Sequence, residues 1–290
     1  MGETSEPFPG SWAIQSGLLT KRELRMDFER VFPDVYVPKG VRLDACGRAQ
    51  ALGHWAKGAG ILSGFSAAAL HGTKWLDDKP AEIVLDRRAR PPAGVRVHRD
   101  TIDESDIHWR NGFRCTTPLR TAFDLGRRLE FAEAIEVLDA LCNATALTPE
   151  EIARFADLHP GARACTALRT VLPHVDGGAE SIPETRTRML LRAAGFPTPE
   201  TQIRIRHQGL ILARLDMGWR EWQVGVEYDG SHHWTDRNQH TRDIDRYAIL
   251  PTLGWTLIRV SARHLTHAPH LILERVNSAL THRGWRSSGT

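Results

Sequence analysis

Three short runs of alternating character, TQIRIRH (201–207), LILARLDM (210–217) and WQVGVEYD (222–229), follow one another with only QG and GWRE between them. Alternation with period two is the pattern of a half-buried β-strand, and connections this short suit hairpins. The chain is therefore expected to form a three-stranded antiparallel meander here. On the third run Val224, Val226 and Tyr228 share one face, and Gly225, Glu227 and Asp229 share the other. Two carboxylates thus leave a strand that otherwise reads as buried in the same direction. Like charges about 4 Å apart repel by roughly 4 kcal/mol at an effective dielectric near 20. The pair needs a cation, a basic ligand or protonation.

The segment PHVDGGAESIPE (173–184) interrupts helical patterns on both sides and divides the chain. Downstream, Ser181 and Glu184 stand at capping-box spacing before an apolar helix that ends at Gly195. The three strands follow, then a helix over DRNQHTRDIDRYAIL (236–250), a strand in GWTLIRV (254–260) and a closing helix in PHLILERVNSALTHR (269–283). The order αβββαβα makes a compact mixed sheet flanked by helices. Upstream, LLTKRELRMDF opens with a Thr20–Glu23 capping box and leads into the strand-like RVFPDVYVP, as at the start of a winged helix. GRAQALGHWAKG and SGFSAAALHG read as helices, AEIVLD and GVRVHR as strands, and the stretch from 119 to 172 as further amphipathic helices. The expected class is mixed α+β / α/β in three regions: a winged-helix-like segment over 1–60, a small mixed domain over 61–175, and an αβββαβ core over 176–290.

Composition is that of a soluble globular protein, with 41% hydrophobic and 25% charged residues. No signal peptide and no apolar run of membrane-spanning length is evident, so the reading is cytoplasmic with no membrane partner. The four cysteines form no C-x-x-C pair, which points away from a disulfide framework or a cysteine zinc site. Residues 1–175 balance 23 Lys plus Arg against 23 Asp plus Glu, whereas 176–290 hold 15 against 12 and 8 of the 14 His. That second excess is entirely arginine, because the last lysine is Lys79. Arginine suits bidentate phosphate binding, although an excess of three is equally an ordinary solvated surface.

Within 176–290, neighbouring strands can bring Asp216 beside Glu227 and Asp229, with Glu184 at the head of the preceding helix. Such a set makes a hard oxygen site suited to Mg²⁺ or Mn²⁺ and to a phosphodiester. Each residue also has a plainer use. Glu184 can close a capping box with Ser181, Glu227 and Asp229 can face Arg214 or Arg259, and Asp229 can be a turn residue. Arg242 and Arg246, one helical turn apart, can contact phosphates or pair with Asp243 and Asp245.

The residues SIPE, RLD, GVEYDGSHH, RDIDR and GWTLIRVSARHL resemble the PD-(D/E)xK restriction-endonuclease-like superfamily, and more narrowly its very-short-patch-repair-like branch, found in many actinobacterial proteins. The resemblance covers 180–275. It implies a restriction-endonuclease-like fold and Mg²⁺-dependent (or Mn²⁺-dependent) DNA cleavage. Asp216 and Glu227 fall at the family's metal-binding acids, and Glu184 at its helix acid. It departs where the family pattern has lysine, since this chain has Asp229 there. Either Asp229 is a third metal ligand, with His232 and His233 for acid/base work and Arg259 stabilising charge, or the site is degenerate.

The first 175 residues resemble the antitoxin of type IV abortive-infection systems in GLLTKREL, RVFPDVYVP, LSGFSAAALHG and TPLRTAFDL. This implies a winged-helix DNA-binding start and a following domain. The first expectation is a metal-dependent DNA endonuclease with an N-terminal targeting module, acting with DNA and as a possible homodimer or with a toxin or regulatory partner. The alternative is a non-catalytic, antitoxin-like transcriptional regulator with a degenerate nuclease-fold domain.

Overall fold

The computed structural model describes residues 6–85, 90–230 and 249–286. Among them the chain is mixed α+β, with three sheets, and it divides into two compact units, Met1–Gly177 and Gly178–Thr290. No helix among the described residues is long and apolar enough to cross a membrane.

The first unit starts with β1 (Phe8–Pro9), α1 (Gly10–Gln15), α2 (Lys21–Asp27), β2 (Phe28–Phe32) and β3 (Val35–Pro38), and the strands form a small sheet in the order β1-β3-β2. The capping box at Thr20 forms as its spacing requires: Thr20 Oγ1 accepts from the Glu23 amide while Glu23 Oε2 accepts from the Thr20 amide at 2.7 Å. Helix α3 (Ala45–Ala56) is capped by Asp44 and leads through β4 (Ile61–Leu62) into α4 (Gly64–Leu70), all seven residues of which are buried.

A five-stranded sheet follows, in the order β6-β5-β4-β8-β7, from β5 (Ala81–Val84), β6 (Val95–His98), β7 (Ile107–Arg110) and β8 (Phe113–Thr116) with β4. One apolar cluster joins Phe32, Val35, Ala49 and Leu52 to Leu62, Ile83 and Cys115, so residues on both sides of position 60 share a core. Four helices close the unit: α5 (Pro118–Arg128), α6 (Phe131–Thr145), α7 (Pro149–Asp157) and α8 (Cys165–Val171). The β7–β8 hairpin has no counterpart among the elements expected from the sequence. Its turn is Asn111-Gly112, with φ of 48° and 79°, the left-handed pair that a two-residue turn of this hand demands.

The second unit opens with α9 (Ile182–Ala193), followed by β9 (Glu200–His207), β10 (Leu210–Trp219) and β11 (Val224–Asp229) as an antiparallel meander. Strand β12 (Thr256–Ser261) then lies parallel to β11, giving the order β12-β11-β10-β9. Two helices, Ala262–His267 and Pro269–His282, end the unit. Val224, Val226 and Tyr228 belong to a cluster with Leu191, Ile258, Ile272, Val276 and Leu280. The helix expected over 236–250 lies, apart from its last residues, outside the described residues. A winged helix and a nuclease core are finer statements than this mixed α+β architecture.

Candidate functional site

The acids singled out in the second unit are drawn into internal contacts. Glu184, in the first turn of α9, receives hydrogen bonds from the Glu180 amide at 2.8 Å, Ser181 Oγ at 2.7 Å and Gln202 Nε2 at 3.3 Å. Ser181 Oγ in turn accepts from the Glu184 amide. Ser181 therefore caps the helix, and the Glu184 carboxylate holds the Ser181 hydroxyl and the Glu180 amide just before it. Burial, followed by the charge of Asp216, pushes Glu184 up to about 7, against the lowering effect of its donors. Asp216 Oδ2 accepts the Tyr228 amide at 2.7 Å, fastening β10 to β11.

Glu227 is buried and stands opposite Arg259 in the parallel β11–β12 ladder, and Arg259 makes a short ion pair with Asp229 at 2.5 Å. Arg214 is held by both oxygens of Glu180 at 2.6 and 2.8 Å. An arginine on the neighbouring strand thus supplies positive charge to Asp229. Among the described residues no three or more His, Cys, Asp or Glu are grouped so as to hold a metal ion. Glu184, Asp216 and Asp229 instead make the contacts given above, with a helix start, a backbone amide and a guanidinium respectively. His232, His233, Arg242 and Arg246 lie outside the described residues.

In the first unit the structure reveals buried charge that the sequence pattern does not announce. Gly64 opens α4 at φ +51°, and a Cβ there would fall 1.6 Å from Glu82 Oε2. That space belongs to the buried Glu82 carboxylate, which accepts the Phe65 amide at 3.2 Å and Arg96 Nη1 at 2.8 Å, while the Glu82 amide donates to Ser66 Oγ. The sequence SGFS thus ties α4 to β5 through one acid, which explains its small residues.

A second network organises TTPLRTAFDLGRR (116–128). Thr117 caps α5 by accepting the Arg120 amide, and Pro118 occupies the first turn. The buried Arg120 then bridges Asp106 and Asp124, each at 3.0 Å. Arg127 reaches Asp124 at 2.7 Å, and Arg128 pairs with Asp100. His71 Nε2 donates to the Thr116 carbonyl at 2.7 Å, and burial holds its pKa below the usual histidine range, so it is a neutral linker. Burial pushes Cys115 up to about 11 and Cys142 up to about 12, which leaves neither as a thiolate nucleophile. The i, i+4 spacing of Arg120 and Asp124 is the sequence signal for this network.

Residues 58–174 match the AbiEi antitoxin C-terminal domain family. The match spans β4 to the end of α8, and so contains both buried networks. Over 249 residues the chain is also 29% identical to two uncharacterized proteins of Mycobacterium tuberculosis, one of strain CDC 1551 / Oshkosh and one of strain ATCC 25618 / H37Rv. These alignments cover 85% of this chain and 90% of each relative. The antitoxin resemblance is thereby supported for this part of the chain.

The expectation of a metal-dependent DNA endonuclease is corrected by the same findings. They favour the antitoxin-like regulator, and no finding supports hydrolase chemistry or magnesium. Asp229, which stands where the nuclease family pattern has lysine, is paired with Arg259 on β12.

Proposed function

We propose that this chain is a non-catalytic, antitoxin-like transcriptional regulator. In this reading α1, α2 and the β1-β3-β2 sheet contact DNA, and the domain over 58–174 engages a toxin or other regulatory partner. The observation that carries the reading is the match of 58–174 to an antitoxin domain. The charge of α2 favours the DNA assignment. Lys21, Arg22 and Arg25 are exposed, while the one acid between them, Glu23, is folded back onto the Thr20 amide and hydroxyl. Arg30 and Lys39 on the neighbouring strand and turn are exposed too, beside exposed Asp27 and Glu29, so the segment carries only a small positive excess.

The test is binding of the full chain to the DNA upstream of its own coding region, compared with an unrelated duplex of equal length. Preference of at least about tenfold for the upstream duplex is expected, with affinity falling steeply with salt. The triple change Lys21→Gln, Arg22→Gln and Arg25→Gln should lower the slope of log affinity against log salt by up to about 2.7, at roughly 0.9 for each phosphate that the chain no longer neutralises. Equal affinity for the two duplexes would sink the regulator reading.

A further inference from the structure

The β9–β10 hairpin is built unlike the rest of the second unit. Its turn is the pair Gln208-Gly209, with φ of 50° and 81°, closed by His207 opposite Leu210. Two left-handed residues are what a tight two-residue hairpin uses, and the ladder shifts register between Ile211 and Ala213, just behind the tip. Along β9, Ile203 and Ile205 are buried, while Arg204, Arg206 and His207 are exposed. In the ladder Arg204 stands opposite Arg214, and Arg206 opposite Ile211. Like charges directly across a ladder destabilise it. Arg214 is neutralised by Glu180, but among the described residues neither Arg204 nor Arg206 has an acid within ion-pair distance. At the tip Leu210 is 68% and Ile211 50% exposed.

An exposed ribbon with unneutralised guanidinium groups and an apolar tip fits one class of partner well. We propose that this hairpin is a second duplex-DNA contact, separate from the N-terminal segment, with Arg204 and Arg206 on backbone phosphates and Leu210 and Ile211 against sugars and base edges in the groove. A groove of B-form DNA admits a two-stranded ribbon, and apolar side chains are used there as wedges. A neutral or basic protein partner would leave the arginines without their charge complement. The assignment rests on the DNA-binding reading above and extends it to the second unit. The contact is charge-driven and reads no sequence through the arginines, so it acts on any duplex.

The experiment measures affinity of the full chain for both the upstream and the unrelated duplex across a salt series. In the Arg204→Gln, Arg206→Gln double variant, the slope of log affinity against log salt should fall by about 1.8 on both duplexes, and the Arg204→Lys, Arg206→Lys pair should restore it. Leu210→Ser with Ile211→Ser should weaken binding with the salt slope unchanged. A slope on the unrelated duplex that the Gln variant leaves unaltered, or a parent chain that binds neither duplex, overturns the ribbon contact. Loss of preference for the upstream duplex with the ribbon effect intact overturns the regulator reading alone. Binding of a protein partner that the Gln variant abolishes while both DNA slopes stay put would reassign the surface to protein and also overturns the proposal.

Discussion

Glu184 carries the sharpest consequence at the scale of a single residue. Its carboxyl is buried and pushed up to about 7 from an ordinary value of 4.5. Below about pH 4.5 the folded and unfolded chains both hold the proton, and the full stability is present. Between there and about pH 7 the unfolded chain releases a proton that the folded chain keeps, so stability falls as pH rises and levels off above the folded value. The total loss is on the order of 3 kcal/mol. Glu184→Gln preserves the shape, with its carbonyl oxygen for the Glu180 amide and its amide for Ser181 Oγ, and removes the titration. The melting transition of residues 178–290 should decline from pH 5 to 7.5 in the parent, and the variant's should decline less by an amount equivalent to that loss. Comparing the two proteins cancels the contribution of every group they share. Parallel curves would show that Glu184 is not perturbed. The contact of this residue with Ser181 is legible in the Ser181–Glu184 spacing, whereas its burial is not, because burial depends on β9 and β10 arriving over the helix start.

Among the elements, α5 shows how much a local pattern reveals and where it stops. Thr117-Pro118 announces the helix start, and Arg120 with Asp124 announces a one-turn pair, all within the sequence. That this pair would be buried follows only from Asp106, fourteen positions away, reaching Arg120 from the short 3₁₀ turn Glu104–Asp106 that precedes β7. That hairpin is hard to read in the sequence because its strands, IHWR and FRCT, are short and do not alternate cleanly, although Asn-Gly is itself a signal. Removing one member of a buried ionic group strands the others, at a cost of about 3–5 kcal/mol. Arg120→Met should therefore destabilise the 1–177 unit by that amount in urea unfolding. It leaves Asp106 with no guanidinium and Asp124 with Arg127 and Arg128 alone. Adding Asp106→Asn should return part of the loss, because it removes the uncompensated charge. A loss under about 1 kcal/mol in the single variant would mean that the network is solvated and contributes little.

At the scale of the whole molecule, the break at PHVDGGAESIPE is readable because glycine, proline and small residues end helical patterns there, and the compact units part at Gly177 and Gly178. Function is less readable for a related reason. Two acids of the second unit stand out on one strand, but the arginine that pairs with Asp229 comes from β12, which sequence distance conceals. The division itself makes a strong claim about cooperativity. Residues 178–290 bury two apolar clusters of their own, one around Val224, Val226 and Ile258 and another around Ile203, Leu215 and Trp255. Residues 1–177 have a separate cluster running from Phe32 to Cys115. Units with their own cores in this size range fold autonomously. The fragment 178–290 should show helical and strand far-ultraviolet circular dichroism and a single cooperative melt, and the fragment 1–177 should do the same. Their summed spectra should reproduce that of the full chain. A fragment 178–290 with no cooperative transition, in buffer at pH 5 where Glu184 holds its proton, would show that this half borrows its stability from the rest of the chain.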